Sequence, residues 1–213
     1  VTASLDRMSG TQYLRLNDRV ELPRLYLSWP STALFGDHDA ELDLAADILA
    51  SGKSSRLYRA LLHDREIATD VSVHQASSEL SGIFSIVVTA APGHTLSDIN
   101  IVVADEIHRM QSDGVTEEEF TRARNRMEAD FAWQCQSVGG FGGVSDQLNA
   151  YNVFAKTPGF FETDWNRYKY ATPGSICEAI TMLLTPETEV ALSIVPQKNA
   201  DAALPESDLL EMR

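Results

Sequence analysis

Cysteine, basic charge and long apolar runs are all scarce in this chain. It holds only two cysteines, Cys135 and Cys177. They form neither a C-x-x-C pair nor a zinc-ribbon spacing, so neither a disulfide framework nor a zinc knot is indicated. Two small, buried, unpaired thiols are expected, with a disulfide between them as the alternative. Lysine and arginine number 17 against 31 aspartates and glutamates, a net charge of -14. Nucleic-acid affinity rests on cations that neutralise phosphates, so no nucleic-acid partner is expected. Anionic membrane surfaces are disfavoured for the same reason. The carboxylate surplus favours solubility and leans toward cationic partners. No apolar run reaches about eighteen residues, so no transmembrane helix is expected.

What is present is ordinary for a globular protein: 213 residues, 44% hydrophobic and 23% charged. That is enough to bury a core in one domain, 1–213, with the core at about 22–196 and flanking segments at 1–11 and 198–213. The sequence opens on Val1 with no Met and no signal-like apolar segment, and closes on an acidic tail. Both ends read as cuts in a longer multidomain chain.

Periodicity supplies the elements. Leu25, Leu27 and Trp29 alternate with Tyr26 and Ser28, a strand that Pro30 should stop. A helix follows, with Asp37 or Asp39 as cap, Leu42, Ala45, Ala46 and Leu49 inward, and Gly52 at its end. A second helix begins at Ser54-Ser55, with Leu57, Leu61 and Leu62 inward and its arginines outward. "ATDVSVHQA" and "SGIFSIVVTAA" sit at hairpin spacing around Ser77-Ser78-Glu79. Thr95 with Asp98, and Thr116 with Glu119, have the spacing of capping boxes at two helix starts, and Gly114 closes the first of these helices. Beyond "GGFGG" helices are expected at Val144–Phe154, Phe160–Tyr170 and Pro173–Leu183, the last opened by Thr172 and Pro173. "EVALSIVP" is the final strand. The order reduces to a split β-α-β-β-α-β unit with a helical insertion. This is an α+β architecture, a mainly antiparallel sheet with helices on one face.

No chemical motif is complete. Gly52-Lys53-Ser54 resembles the end of a phosphate loop, but the first glycine's place is Asp47, and a helix precedes it where a strand is needed. "HDAEL" puts His38 and Glu41 in the first two places of an H-x-x-E-H zinc helix; the third is Leu42, which cannot bind zinc. His38 lies near the helix start and is expected to face solvent. His63, His74, His94 and His108 are scattered over unrelated elements. Glu117–Glu119 suits the positive end of a helix dipole. No G-x-S-x-G serine motif occurs, and Cys135 and Cys177 read as buried and inert. The loop Gly139–Gly143 fits either a substrate-contacting loop or a hinge. The residues alone therefore assign no catalytic residue and no metal ligand, and favour a binding or structural domain over an enzyme.

Several stretches in order carry a resemblance: "LPRLYLSWP", "DAELDLAADILASGKSSRLYRALLHDREIATDVSV", "GVTEEEFTRARNRM" and "GGFGGVSDQLNAYNVF". From about Leu22 to Pro196 the chain resembles the second, non-catalytic domain of pitrilysin-type (insulinase-like) zinc peptidases, in particular bacterial zinc proteases built from two pairs of similar domains. The resemblance implies the fold of mitochondrial processing peptidase-like metallohydrolase domains, with zinc in the parent's catalytic domain and none here. "LDLAADILAS" takes the place of the zinc helix, with Leu42, Ala45 and Ala46 at the three motif places. A family Arg/Tyr pair that grips substrate would fall at Leu62 and Thr69, so it is missing too. No site residue carries over. The implied role is architectural. The domain would help to build a peptide-binding chamber, with the catalytic domain and second half of the same chain as partners and a peptide as substrate. A bacterial periplasmic parent is the expected setting. The alternative is an interaction scaffold of the same fold without protease activity.

Overall fold

A computed structural model describes residues 10–140 and 142–210. Its sheet contains six strands: β1 (Gln12–Asp18), β2 (Arg24–Ser31), β3 (Ala68–Ser77), β4 (Gly82–Ala90), β5 (Val190–Pro196) and β6 (Asp208–Leu209). They lie in the order β3-β4-β2-β5-β1-β6. The pairings β3–β4, β4–β2 and β2–β5 are antiparallel; β5–β1 and β1–β6 are parallel. The α+β reading, mainly antiparallel, therefore holds.

Two strands extend the sheet outside the expected 22–196 core. In β1 the residues are half-exposed or exposed on both faces, so the sequence alternates too weakly to announce a strand. The two residues of β6 are ordered by pairing with β1 alone. Ala202 and Leu204, in the expected flank 198–213, are buried. The outer parts of both flanks, Val1–Ser9 and Glu211–Arg213, lie outside the described residues.

Pro30 does not stop β2, which runs on to Ser31 and pairs there with Gly82. The neighbour β5 reaches only Ser28, so one flank of the strand is open at Pro30, the kind of position where a missing N–H is tolerated. The β3–β4 hairpin turns where expected, with Ser78 N–H donating to the carbonyl of Ser81 at 2.9 Å.

The helices are α1 (Asp39–Ala50), α2 (Leu96–Ser112), α3 (Glu117–Gln134), α4 (Val144–Phe154), α5 (Phe161–Tyr170) and α6 (Pro173–Leu183). The start of α5 is one residue later than expected. Both threonine–acid capping boxes form, and Thr172 caps α6 with Pro173 in its first turn. Gly114 follows α2 with φ +86°, a backbone conformation that costs glycine little.

The helix α1 differs from its expected form in two ways. Its cap position is His38, left-handed at φ 66° and half-buried, with no side-chain cap bond. Neither Asp37 nor Asp39 caps it; Asp39 is buried and occupied elsewhere. Its burial is also not confined to one stripe, because Leu42, Leu44, Ala45, Ile48 and Leu49 are all fully buried. With the sheet's edge strand, α3, α5 and α6 all against it, α1 is the central helix of the core. Each of its large apolar side chains contributes about 1.5–3 kcal/mol by burial.

The expected second helix is reduced to a short π-type segment, Tyr58–His63. Leu57 and Leu61 are fully buried, but Leu62 is half-buried. Neither serine caps the segment: the Ser55 hydroxyl donates back to the carbonyl of Gly52 at 2.7 Å. Arg56 turns inward rather than outward. Cys135 is exposed and Cys177 half-buried, both as free thiols, so the expected burial fails for Cys135. Cys135 stands at the C-cap of α3, close to exposed Trp133.

On the other face of the sheet Tyr26, Ser28, Ser85 and Val87 are half-buried and Ile83 is exposed.

Candidate functional site

β3 is an edge strand, so among the described residues one side of its backbone has no partner strand. A groove of about 380 Å³ runs along it, between α1, β3 and α3. Consecutive residues Val71–Gln75 line it, from both faces of the strand, as expected where a groove follows an edge. A second cavity of about 350 Å³ adjoins it, sharing Asp43, Gln75, Met127 and Asp130 and reaching α5.

The groove wall on α1 is made by Asp43, Ala46, Asp47 and Ala50. Asp39, Asp43 and Asp47 follow one another at intervals of four residues, a carboxylate stripe along one helix face. Each carboxylate has a partner brought from far along the chain. Asp47 faces Arg126 of α3, with Nη1 and Oδ1 3.3 Å apart. Asp43 accepts from the Tyr168 hydroxyl at 2.6 Å. Asp39 accepts from Arg167 Nη1 at 2.9 Å, from the Phe35 N–H at 3.0 Å and from the Ser77 hydroxyl. Arg167 also binds Asp164 through Nε and Nη2, at 3.0 and 2.6 Å. Asp164 in turn accepts from the Tyr151 hydroxyl at 2.8 Å.

This network ties the α4–α5 insertion to the central helix, and carries more carboxylate than cation. Burial pushes the Asp43 carboxyl up to about 7, and the neighbouring charges of Asp39 and Asp164 add to that, against the Tyr168 hydroxyl and Arg167. The Tyr168 hydroxyl is itself raised, by burial first and by Asp43 next.

Leu42, Ala45 and Ala46 do not form one face of the groove. Leu42 and Ala45 are fully buried in the core. The residues that line the groove with the i, i+3, i+4 spacing of H-x-x-E-H are one position further on: Asp43, Ala46 and Asp47. These do not fit zinc. They supply no imidazole, the middle place has no carboxylate, and both aspartates are engaged by Tyr168 and Arg126. Among the described residues no group of three His, Cys, Asp or Glu is placed to hold a metal. His74, in β3, lines the groove, while His38, His63, His94 and His108 do not come together there. Leu62 is half-buried and Thr69 exposed, with no arginine or tyrosine at either place.

Lys53 and Ser54 are exposed in the turn after α1, with no strand before them. The Gly139–Gly143 loop joins α3 to α4, and its Phe141 lies outside the described residues. No described helix is long and apolar enough to cross a membrane.

The fold is thus a sheet packed on a buried central helix, whose groove face carries aspartates held by arginine and tyrosine partners. Residues 5–127 match the family described as the peptidase M16 inactive domain, and the chain belongs to that family. It is the domain class of the pitrilysin-type peptidases that the family description marks as inactive. No curated protein matches the chain. Among solved structures, a protease from Helicobacter pylori is similar with TM-score 0.80 at 15% identity, covering 90% of this chain and 46% of that one. A peptidase M16 inactive domain from Pseudomonas fluorescens has TM-score 0.76 at 16% identity, covering 90% and 45%. The periplasmic protease PqqL from Escherichia coli has TM-score 0.67 at 13% identity, covering 88% and 21%. The chain thus spans about half the length of the first two, and at these identities the likeness concerns the fold.

Proposed function

We propose that this domain is a wall of a peptide chamber, packed beside a zinc-bearing domain of the same parent chain. The observation that carries this reading is the groove along the β3 edge. An extended peptide can add to an unpaired strand edge through backbone hydrogen bonds. The groove wall offers aspartates where a catalytic domain would need ligands, so contact with a peptide here would be binding without cleavage. Exposed Ile83 and its half-buried neighbours on the open sheet face suit packing against another domain. The chain's coverage of only about half of its similar structures leaves room for that partner. The net charge of -14 favours basic peptides over acidic ones. A periplasmic parent is part of the same reading, in keeping with the stated location of the Escherichia coli protein.

The test has two arms. The 213-residue chain, given zinc and a panel of unstructured peptides, should cleave none. The parent chain should cleave, and should lose turnover when this domain is deleted or its groove is blocked by Ala46→Trp. Zinc-dependent turnover by the isolated chain overturns the proposal, as does a parent indifferent to the domain. The second outcome would favour an interaction scaffold of the same fold.

A further inference from the structure

The second cavity continues the β3 groove at one end. Gln75 is the last β3 residue to line the groove and Asp43 the first on α1. Both also line the second cavity, which goes on to Ser77 after Gln75 and back to Asp39 before Asp43. The two groove walls match in length. Val71–Gln75 spans about 13 Å at the rise of a strand. Asp43–Ser51 spans about 12 Å at the rise of a helix. An extended peptide of about four residues fits that length, with its end at Gln75 beside the second cavity.

Charge in the two cavities is uneven. Asp39, Asp43, Asp47, Asp130 and Asp164 line them, against the cations Arg126 and Arg167. Arg126 faces Asp47, and Arg167 is shared by Asp39 and Asp164. The two carboxylates left over, Asp43 and Asp130, are the ones that line both cavities. Tyr168 donates to Oδ2 of Asp43; Oδ1 has no partner among the described residues and is open to solvent. Asp130 is exposed and joins no ion pair among the described residues. Beside these carboxylates the second cavity has an apolar wall, half-buried Met127 and Phe131. Accessible carboxylates next to an apolar wall suit a cation carried on a long aliphatic stem. A free metal ion is the poorer fit, since no three ligands are placed for one among the described residues and an ion makes no use of a strand edge.

Resting on the reading of the β3 groove as a peptide site, we propose that the second cavity is a subsite for one arginine or lysine side chain of that peptide. Asp43 and Asp130 hold the cation, and Met127 and Phe131 line its stem. Selection of basic peptides then comes from two particular carboxylates and not from the net charge of the whole chain. A proton is coupled to this binding. Burial holds Asp43 up at about 7, and a cation at its side favours the ionised form, so Asp43 gives up a proton as the peptide binds near neutral pH. The groups around it are Asp39 and Asp47 of α1, His74 of β3, Arg126 and Asp130 of α3, and Asp164, Arg167 and Tyr168 of α5.

The experiment titrates the 213-residue chain with short capped valine–threonine peptides that differ only in a central arginine, lysine, norleucine or glutamate, by isothermal calorimetry. Norleucine keeps the stem and drops the cation. Arginine and lysine peptides should bind roughly tenfold more tightly than the norleucine peptide, and the glutamate peptide most weakly. Their binding heat should depend on the ionisation enthalpy of the buffer near pH 7, whereas that of the norleucine peptide should not. Asp130→Asn, at an exposed position, should remove most of the preference in a folded chain, as should Asp43→Asn. Glu128→Gln removes the same charge from an exposed α3 position outside both cavities and should leave the preference intact. A preference that survives Asp130→Asn, or that Glu128→Gln reduces equally, overturns the subsite and leaves the groove with long-range charge alone. Equal binding of arginine and norleucine peptides overturns it too, as does binding of none; the turnover of the parent chain then decides the chamber reading by itself.

Discussion

Arg56 and Glu119 form a two-pronged ion pair: Nε and Nη2 of Arg56 each lie 2.7 Å from a different carboxylate oxygen of Glu119. The same Glu119 closes the α3 capping box, accepting from the Thr116 N–H and hydroxyl at 3.0 Å. Arg56 also donates to the Gly114 carbonyl at 2.8 Å, so it joins the turn after α1 to the turn between α2 and α3. A bidentate pair of this kind is geometrically selective in a way a lysine could not reproduce.

Removing one partner should therefore be costly. Arg56→Ala is expected to lose about 2–3 kcal/mol in urea unfolding, most of it from the groups left unpaired. Thr116→Ala, which removes only the cap, should lose about 1 kcal/mol. Equal losses would mean that the ion pair adds nothing to the cap.

The same carboxylate has a pH signature. Burial works to raise Glu119, but Arg56 and Thr116 outweigh it and hold the carboxyl at about 2, below its ordinary 4.5. A depressed folded value gives stability that is fully present above the unfolded value and is lost as pH falls toward 2. Glu119→Gln should thus narrow its stability deficit between pH 4.5 and 2; a deficit constant over that window removes Glu119 as the titrating group.

Asp43 should behave with the opposite sign. Its folded value, about 7, lies above the ordinary 3.8. The folded state holds the proton more tightly, so the stability contribution is present below 3.8 and fades as pH rises to 7. Asp39, Asp164, Arg167 and Tyr168 face it in the network, and Asp47, Arg126, Asp130 and His74 line the groove beside it. Asp43→Asn mimics the protonated carboxyl, so its melting temperature should gain on that of the unsubstituted chain across this window and run parallel above it. A difference independent of pH would show that Asp43 does not titrate there.

The two registers of the zinc-motif spacing can be told apart by single substitutions. Ala45 is fully buried, whereas Ala46 is 8% exposed and lines the groove. Ala45→Gln should cost about 3 kcal/mol or more, through overpacking and an unpaired amide in the core. Ala46→Gln should cost about 1 kcal/mol or less. Chemical denaturation of both variants checks this, and a reversed order would place the groove on the other face of α1.

Arg167 carries the largest share of the network. Arg167→Met leaves Asp39 and Asp164 buried without their cation and is expected to cost about 3–5 kcal/mol. Hydrogen exchange should rise first in α5 if the network holds that helix against α1. Unchanged exchange in α5 would mean that the aromatic contacts of Phe131 with Trp165 and Tyr168 hold it alone.

Much of this was legible in the residues. Hairpin spacing gave β3 and β4, threonine–acid spacing gave the starts of α2 and α3, and the absence of H-x-x-E-H spoke against a zinc helix. The aspartate stripe is also in the sequence, as three aspartates four residues apart. Its role was not, because Arg126, Arg167 and Tyr168 lie 79, 128 and 125 residues from the carboxylates they bind. The inward turn of Arg56 was hidden in the same way, its carboxylate partner being 63 residues distant.

The sequence by itself determined the elements whose causes are local: caps, turns, strand alternation, and the lack of a metal-binding motif. Only the tertiary structure decided which face of α1 meets the core and which meets the groove. The aspartate stripe marks one polar face of α1, but a stripe does not say which distant segments will pack beside it or that they will leave a groove there. That orientation is set by what packs around α1, and it is what puts Asp43, Ala46 and Asp47 on the groove rather than Leu42 and Ala45.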